Sequence, residues 1–436
     1  MRLMRTAAVL WHLTTAYALV APPRTKLLAP RVRYLLAETI RSEAAGTGVA
    51  ETLARSVQVG VVGGAVIAGF RRGVDALHGD LFFWGMAFEV WARDPRFIVA
   101  PLVGALLVGR LLQGGKTVAQ LKEGTLQRAP LRKRDQAKRG AAAALSLGSG
   151  ASLGPEGPCV ELGAATGQWA AAQGGRPSAL AAAGVAAGVA AGFDCPTAAV
   201  AFALEPDAKS VDVMTASAAV IAASVASSVS KMLLGGAPTT TRKSSQGLAA
   251  AVANWRMLDP GPLQAVARDV VVAAVIAAAF AKALRASANL FKRAPSWGDS
   301  LDAGRAALIT GGVTLAVGSP MILFWHSAPF KAALAGSLSR NRVLTLAAAK
   351  VAATSACVSS PLVGGLFAPT LILGALGGAA VSPTVGRYAA AACLGAFFGT
   401  PLTGALLVAE LLRAPSLVLP SLCAAVLAKA LLKRVD

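Results

Sequence analysis

Charge is scarce in this chain, and acid is scarcer still. Asp and Glu together number 21 against 42 Lys and Arg, charged residues make up 14% of the 436, and no acid precedes Glu38. There are three histidines, His12, His78 and His326. The five cysteines, Cys159, Cys195, Cys357, Cys393 and Cys423, include no Cys-x-x-Cys pair and lie in apolar stretches. So thin a supply of ligands argues against a metal site or a disulfide framework and leaves the thiols as small buried side chains. What remains is 55% hydrophobic with a mean hydropathy of +0.60, more apolar surface than a soluble fold of this length can hide. A bilayer must be its solvent.

Uncharged length points the same way. Residues 306–325, 388–409 and 351–386 are free of charge over 20, 22 and 36 positions, against about 20 needed to span the hydrocarbon. Lipid offers backbone groups no partners, so helices or a closed barrel are the only spanning structures, and these runs lack the period-2 alternation of barrel strands. The sequence therefore predicts an all-α polytopic membrane protein, with the three uncharged runs as spans. Apolar segments fall near 57–70, 98–112, 140–153, 179–204, 211–234, 263–283, 306–325, 343–386, 388–412 and 415–432. Several are short or interrupted by Gly and Pro. Broken, tilted or re-entrant helices are implied, and these are tolerated at membrane depth only where protein or a polar cavity covers them.

The net charge of +21 does not read as nucleic-acid binding. The basic residues fall between apolar runs, as in Arg132, Lys133, Arg134, Lys138 and Arg139, with no interleaved aromatics, which is how cytoplasmic or stromal loops look. Residues 1–50 form a basic N-terminal segment. It has Arg2 and Arg5, an apolar stretch over 7–13, Ala16-Tyr17-Ala18, then Arg24, Lys26, Arg31 and Arg33. A signal peptide followed by a plastid transit segment has this pattern, and so does a simple basic tail. A plastid membrane, envelope or thylakoid, is accordingly one expected location.

An internal repeat divides residues 51–436 into halves of about 51–235 and 260–436. Pro158 is followed after five residues by Gly163, and Phe193-x-x-Pro196 leads to Glu205 nine beyond the proline. Pro369 is followed after five by Gly374, and Phe398-x-x-Pro401 leads to Glu410 nine beyond. Two equivalent halves, each giving a broken helix to a shared midplane site, is a transporter architecture.

Gly154-Pro155-Glu156-Gly157-Pro158 and Gly364-Gly365-Leu366-Phe367-Ala368-Pro369 read as helix N-termini, since glycine permits a sharp turn and proline fits a first helical turn. Free N–H groups and the positive end of the helix dipole attract anions there, by about 0.3–1 kcal/mol when exposed and up to about 2 when partly buried. Two converging termini would bind a weakly hydrated anion without the full positive charge that would trap it. Glu156 is the one charge in its stretch, and a carboxylate at the bilayer centre costs about 2.5–3.5 kcal/mol. A tethered carboxylate competes with a permeating anion for the same N–H groups, and protonation releases it. A plain helix cap is the alternative reading. Glu161 reads as a packing or helix-face residue.

At these residues the chain resembles the CLC family of chloride channels and anion/proton antiporters. Gly154 to Pro158 is similar to the family's G-[K/R]-E-G-P and Gly365 to Pro369 to its G-x-F-x-P. The segments from Ala191 through Glu205 and from Gly399 through Glu410 resemble its A-P-[L/T]-x-G…E helices. The resemblance implies a homodimer with one anion pathway per subunit and Glu156 as the gate. It also implies an anion site drawn from Gly154, Glu156, Gly157 and the amides of Leu366 and Phe367, with no cofactor beyond the transported anion. Thr117, in Gly114-Gly115-Lys116-Thr117-Val118, is the one hydroxyl where the family has G-S-G-I-P. Pro155 stands where the family has a basic residue, and neither a C-terminal tyrosine nor paired cytoplasmic domains is expected before Asp436. Antiporters carry a proton-relaying glutamate just after the position of Glu205, where this chain has Pro206. The expectation is a small-anion channel. A proton-coupled exchanger is the alternative, since Asp207 comes next.

Readings from other classes fare worse. A P-loop, G-x-x-x-x-G-K-[S/T], needs glycine at 110, where Arg110 stands. A serine protease would need Ser149 or Ser152 with His326, which nothing else supports, so no enzyme is expected. A cation or metabolite transporter would need a carboxylate cluster, for which Glu205, Asp207 and Asp212 are the candidates.

Overall fold

The computed structural model describes residues 48–82, 98–112, 133–235, 263–319, 322–323 and 327–435. Among these the chain is all-α, and its helices fall into two sets. The first comprises α1 (Gly48–Ala76, continued by a π-helical turn Leu77–Phe82), α2 (Val99–Leu111), α3 (Lys133–Gly148), α4 (Glu156–Ala171), α5 (Pro177–Phe193), α6 (Pro196–Leu204) and α7 (Val213–Leu233). The second comprises α8 (Leu263–Lys292), α9 (Asp299–Val317), α10 (Ser327–Leu334), α11 (Arg340–Val358), α12 (Phe367–Ala379), α13 (Pro383–Phe398), α14 (Pro401–Leu412) and α15 (Val418–Val435). Helix α1 starts at Gly48, slightly inside the segment read as a basic tail.

The packing repeats with the sequence. Helix α1 lies on α4, α5 and α7, as α8 lies on α12, α13 and α15; α5 carries α6 and α7 as α13 carries α14 and α15. The halves meet where α6 lies on α14, where α2 lies on α9, and where the start of α4 approaches the start of α12.

None of the uncharged runs forms one unbroken helix. Among the described residues, four helices are long and apolar enough to cross a membrane: Gly48–Gly79, Val213–Leu233, Leu263–Lys292 and Pro415–Arg434. They are the first and last helices of each half. The run 388–409 instead breaks between α13 and α14, and 351–386 holds the end of α11, all of α12 and the start of α13. In the run 306–325, α9 stops at Val317. Glycine and proline cause the first two breaks: α13 ends on Gly399 in the left-handed conformation, and Pro401 opens α14. The equivalent break in the first half puts Asp194 in the same conformation, at φ 59°, ahead of Pro196. Asp is among the few non-glycine residues that adopt it.

Each of these breaks exposes helix carbonyls, and each receives one Arg and one Lys. Arg71 donates to Ala191 O at 3.2 Å and Arg285 to Phe397 O at 3.0 Å. Lys231 Nζ pairs with Asp194 Oδ1 at 2.7 Å, and Lys429 Nζ donates to Gly399 O at 2.6 Å. Cations at a helix C-terminus oppose its dipole.

The sequence placed Lys138 and Arg139 in a basic loop. They lie in α3, and Arg139 is only 6% exposed, donating through Nε and Nη2 to the two oxygens of Glu161 at 3.0 and 2.9 Å. Glu161 is thus the counter-ion that lets a guanidinium face α4 inside the protein.

Helices α4 and α5 touch backbone to backbone through facing small-residue pairs, Gly163 and Gly167 against Gly184 and Gly188. A Cβ on Gly163 would lie 2.7 Å from Gly188 Cα, and one on Gly378, at the equivalent α12–α13 contact, 2.7 Å from Gly386 Cα. Without a hydrophobic force between helices in lipid, such close approach supplies the packing energy. Gly163→Val should therefore cost about 3 kcal/mol or more by overpacking. The expected result is a lowered midpoint of thermal unfolding in detergent, with exposed Gly69→Val, where a Cβ meets nothing within 4 Å, as the control.

Candidate functional site

The two glycine-rich segments before α4 and α12 meet head to head. Gly154 and Gly365 each stand four residues before their helix's proline, Pro158 or Pro369. They bond each other as an isolated antiparallel pair, Gly154 N to Gly365 O at 2.9 Å and Gly365 N to Gly154 O at 2.6 Å. The repeat-equivalent positions therefore face one another, and the axis relating the halves runs between them. Glycine is required by close approach: a Cβ on Gly365 would sit 2.6 Å from Gly157 N, and one on Gly154 would fall inside the Glu156 carboxylate. Gly157 in turn packs on the backbone of Gly364 and Gly365.

Glu156, the first residue of α4, is 3% exposed. Its Oε1 accepts from Ala368 N, in the first turn of α12, at 2.9 Å. Its Oε2 is buried and has no hydrogen-bond partner among the described residues. The carboxylate thus crosses from one half to sit at a helix N-terminus of the other, held by one of its two oxygens. Leu366 and Phe367 open α12, where amides have no intrahelical acceptor. The Phe367 ring is ringed by Phe193, Phe202 and Phe398 at centroid distances of 5.5, 5.4 and 5.5 Å. Phe193 and Phe398 are the equivalent last residues of α5 and α13.

Two further glutamates repeat the device, and here the exchange is reciprocal. Glu205, just past the end of α6, accepts from Leu402 N and Thr403 N at the start of α14, both at 2.8 Å, and from Thr403 Oγ1 at 2.8 Å. Glu410, near the end of α14, accepts from Thr197 N and Ala198 N at the start of α6, at 3.1 and 2.8 Å. Each caps the other half's helix, with both oxygens used. Three helix N-termini therefore carry a carboxylate from the opposite half. Symmetry fails at one place: the position equivalent to Glu156, two before the proline, is Phe367.

Among the sequence candidates, Gly154, Glu156, Gly157, Leu366 and Phe367 come together at this junction, while Thr117 lies outside the described residues. The acidic trio does not form a cation cluster: Glu205 caps α14, and Asp212 caps α7, accepting from Thr215 N at 2.8 Å and pairing with Arg176 at 2.9 Å. Hydrogen bonds from Thr215, with Arg176 beside it, hold the Asp212 carboxyl below the usual range. His326 lies outside the described residues, and the Ser152 hydroxyl bonds Ile322 O at 2.8 Å and Thr354 Oγ1 at 3.0 Å. Sequence reading missed two things. One is the partnering of Glu205 with Glu410, for which the shared nine-residue spacing was the available signal. The other is Lys350, which reads as an ordinary lysine and is 1% exposed.

The contrast between satisfied and half-satisfied carboxylates is testable. Glu205→Ala and Glu410→Ala each remove at least two charge-assisted bonds at a helix start and should cost about 2–4 kcal/mol. Glu156→Ala loses one bond and relieves one orphaned oxygen, so about 1 kcal/mol or less is expected. Thermal unfolding of the three variants in detergent checks this order.

The sequence profile described as voltage gated chloride channel matches residues 97–433. Chloride channel protein CLC-f of Arabidopsis thaliana is 29% identical in an alignment 421 positions long that covers 83% of this chain and 51% of that protein. Chloride channel protein CLC-e of the same plant is 28% identical in an alignment 431 positions long that covers 85% of this chain and 58% of that protein. The chain thus spans little more than half the length of these relatives. Among solved structures, a slow cyanobacterial Cl−/H+ antiporter superposes with a TM-score of 0.73 at 20% identity, over 88% of this chain and 95% of that one. A CLC-type fluoride/proton antiporter gives 0.63 at 19% identity, over 87% and 95%. A eukaryotic CLC transporter gives 0.65 at 18%, over 88% and 72%. With the profile covering most of its length, the chain is a multi-pass membrane protein that belongs to the voltage gated chloride channel family.

Proposed function

We propose that the protein passes small inorganic anions across a membrane through the junction of α4 and α12, as a channel gated by Glu156. One observation carries this reading: the Glu156 carboxylate sits on an amide at the start of α12 with its second oxygen unpartnered. An anion can take the same amides when the side chain is protonated or displaced, because the amides of a helix start attract negative charge whatever its source. Gly154, Gly157, Leu366 and Phe367 supply backbone to that position, with Thr117 as a hydroxyl contributor. The aromatic ring around Phe367 supplies low-dielectric walls that strengthen each amide contact.

Passive conduction is favoured over exchange by the residues just after α6. Glu205 has both oxygens engaged at α14, and Pro206 has no titratable group. Exchange is the second reading, because two structures of similar fold are proton-coupled antiporters and Asp207 offers an exposed carboxylate next to Pro206. A homodimer in a plastid envelope or thylakoid membrane completes the proposal, on the family resemblance and the basic N-terminal segment.

The test is reversal potential in proteoliposomes under opposed chloride and proton gradients. The potential should track chloride alone. A shift with pH at fixed chloride would establish exchange, and cation-selective potentials would exclude the anion reading. Glu156→Gln should keep its chloride flux and lose the pH dependence of that flux; an unchanged pH profile would remove Glu156 from the gating role.

A further inference from the structure

Lys350 is the largest fully buried side chain among the described residues, 1% exposed in the middle of α11. A cation at membrane depth costs about 2.5–3.5 kcal/mol even on the lenient insertion scale, so its retention asks for a counter-charge. Its Nζ donates to Ile322 O at 2.8 Å. The same carbonyl accepts from Ser152 Oγ at 2.8 Å, and Ser152 bonds Thr354, one turn after Lys350, at 3.0 Å. These hydroxyls and this carbonyl are uncharged. Among the described residues, the ionisable groups whose charge reaches Lys350 include Glu156 and Cys357, and Cys357 is a buried thiol on the same helix. Ser152 belongs to the loop that carries Gly154 into α4, so the amine is anchored to the wall of the site. Pro155, at the start of α4, brings neither charge nor N–H.

We propose that Lys350 is the fixed counter-charge of the anion position. It balances the Glu156 carboxylate when that group sits on α12, and the permeating anion when Glu156 is protonated or displaced. Tethered to Ile322 O, the amine acts through its field, which raises anion occupancy without forming the close ion pair that would hold the anion too long. Lys350 is a positioning residue of the anion site, and this inference rests on the anion-conducting reading above.

The test is the half-saturating chloride concentration for flux in proteoliposomes, measured for the full chain with and without Glu156→Gln. Lys350→Met should raise it on the order of tenfold or more in both backgrounds, as expected for loss of a unit charge acting through a protein interior. Lys350→Arg keeps the charge and should remain within about threefold. Ser152→Ala and Thr354→Val disturb the same carbonyl network and leave the amine in place, so they should stay within about twofold. Wild-type half-saturation in a folded Lys350→Met protein would overturn the proposal. So would a tenfold shift in Ser152→Ala or Thr354→Val, which would assign the effect to packing, whether or not the Met variant folds. Rescue of Lys350→Met by Glu156→Gln would likewise overturn it, by making Lys350 a partner of the gate alone. Absence of anion flux in the wild-type protein would sink the conducting reading itself.

Discussion

A helix that stops inside a membrane leaves N–H groups at one end and carbonyls at the other with no water to receive them. Everything distinctive in this fold answers that constraint. At the ends of α5 and α13 the carbonyls meet Arg71, Arg285 and Lys429, and Lys231 pairs with the Asp194 carboxylate. At the starts of α6, α12 and α14 the amides meet Glu410, Glu156 and Glu205. Each glutamate comes from the half opposite the helix it serves, so neither half can satisfy its broken helices alone. The exchange fixes the halves in register and places three carboxylates on helix amides where the halves meet.

In the proposed reading the same chemistry gives both a rivet and a gate, and the number of bonds separates them. Glu205 and Glu410 commit both oxygens, and Glu205 adds the Thr403 hydroxyl. Glu156 commits one. A carboxylate with an orphaned oxygen, in a site whose glycines leave it room, is the one whose departure costs least, and its place is the one the proposal gives to an anion. Symmetry breaking supports the assignment: where a perfect repeat would put a fourth carboxylate, the chain has Phe367, and the aromatic ring that packs on it closes the second half of the site.

Packing of small residues makes this geometry possible. Facing glycines bring α4 onto α5 at backbone contact and α12 onto α13 likewise, which carries the starts of α4 and α12 close enough for Gly154 and Gly365 to bond each other. Bulkier residues would separate the helices and pull apart the amides that face the carboxylate. The four long helices pack on these shorter ones: α1 on α4 and α5, α7 on α5, α8 on α12 and α13, and α15 on α13.

Sequence alone established that the chain lives in a membrane, that it is helical, that it has two equivalent halves, and that Gly154 to Pro158 and Gly364 to Pro369 begin helices. Composition, period and the positions of Gly and Pro are local properties, and local physics reads them. It misread features that depend on partners. Uncharged length marked 351–386 and 388–409 as spans, because hydropathy does not register that Gly399 and Pro401 break the run. Arg139 looked like a loop charge, because its burial depends on Glu161 across an interhelical gap. It took the folded arrangement to show that Glu205 and Glu410 serve each other's helices, that Glu156 reaches Ala368, and that Lys350 stands buried behind the site. Those are contacts between residues up to about two hundred positions apart, and their geometry exists only once the two halves have closed on each other.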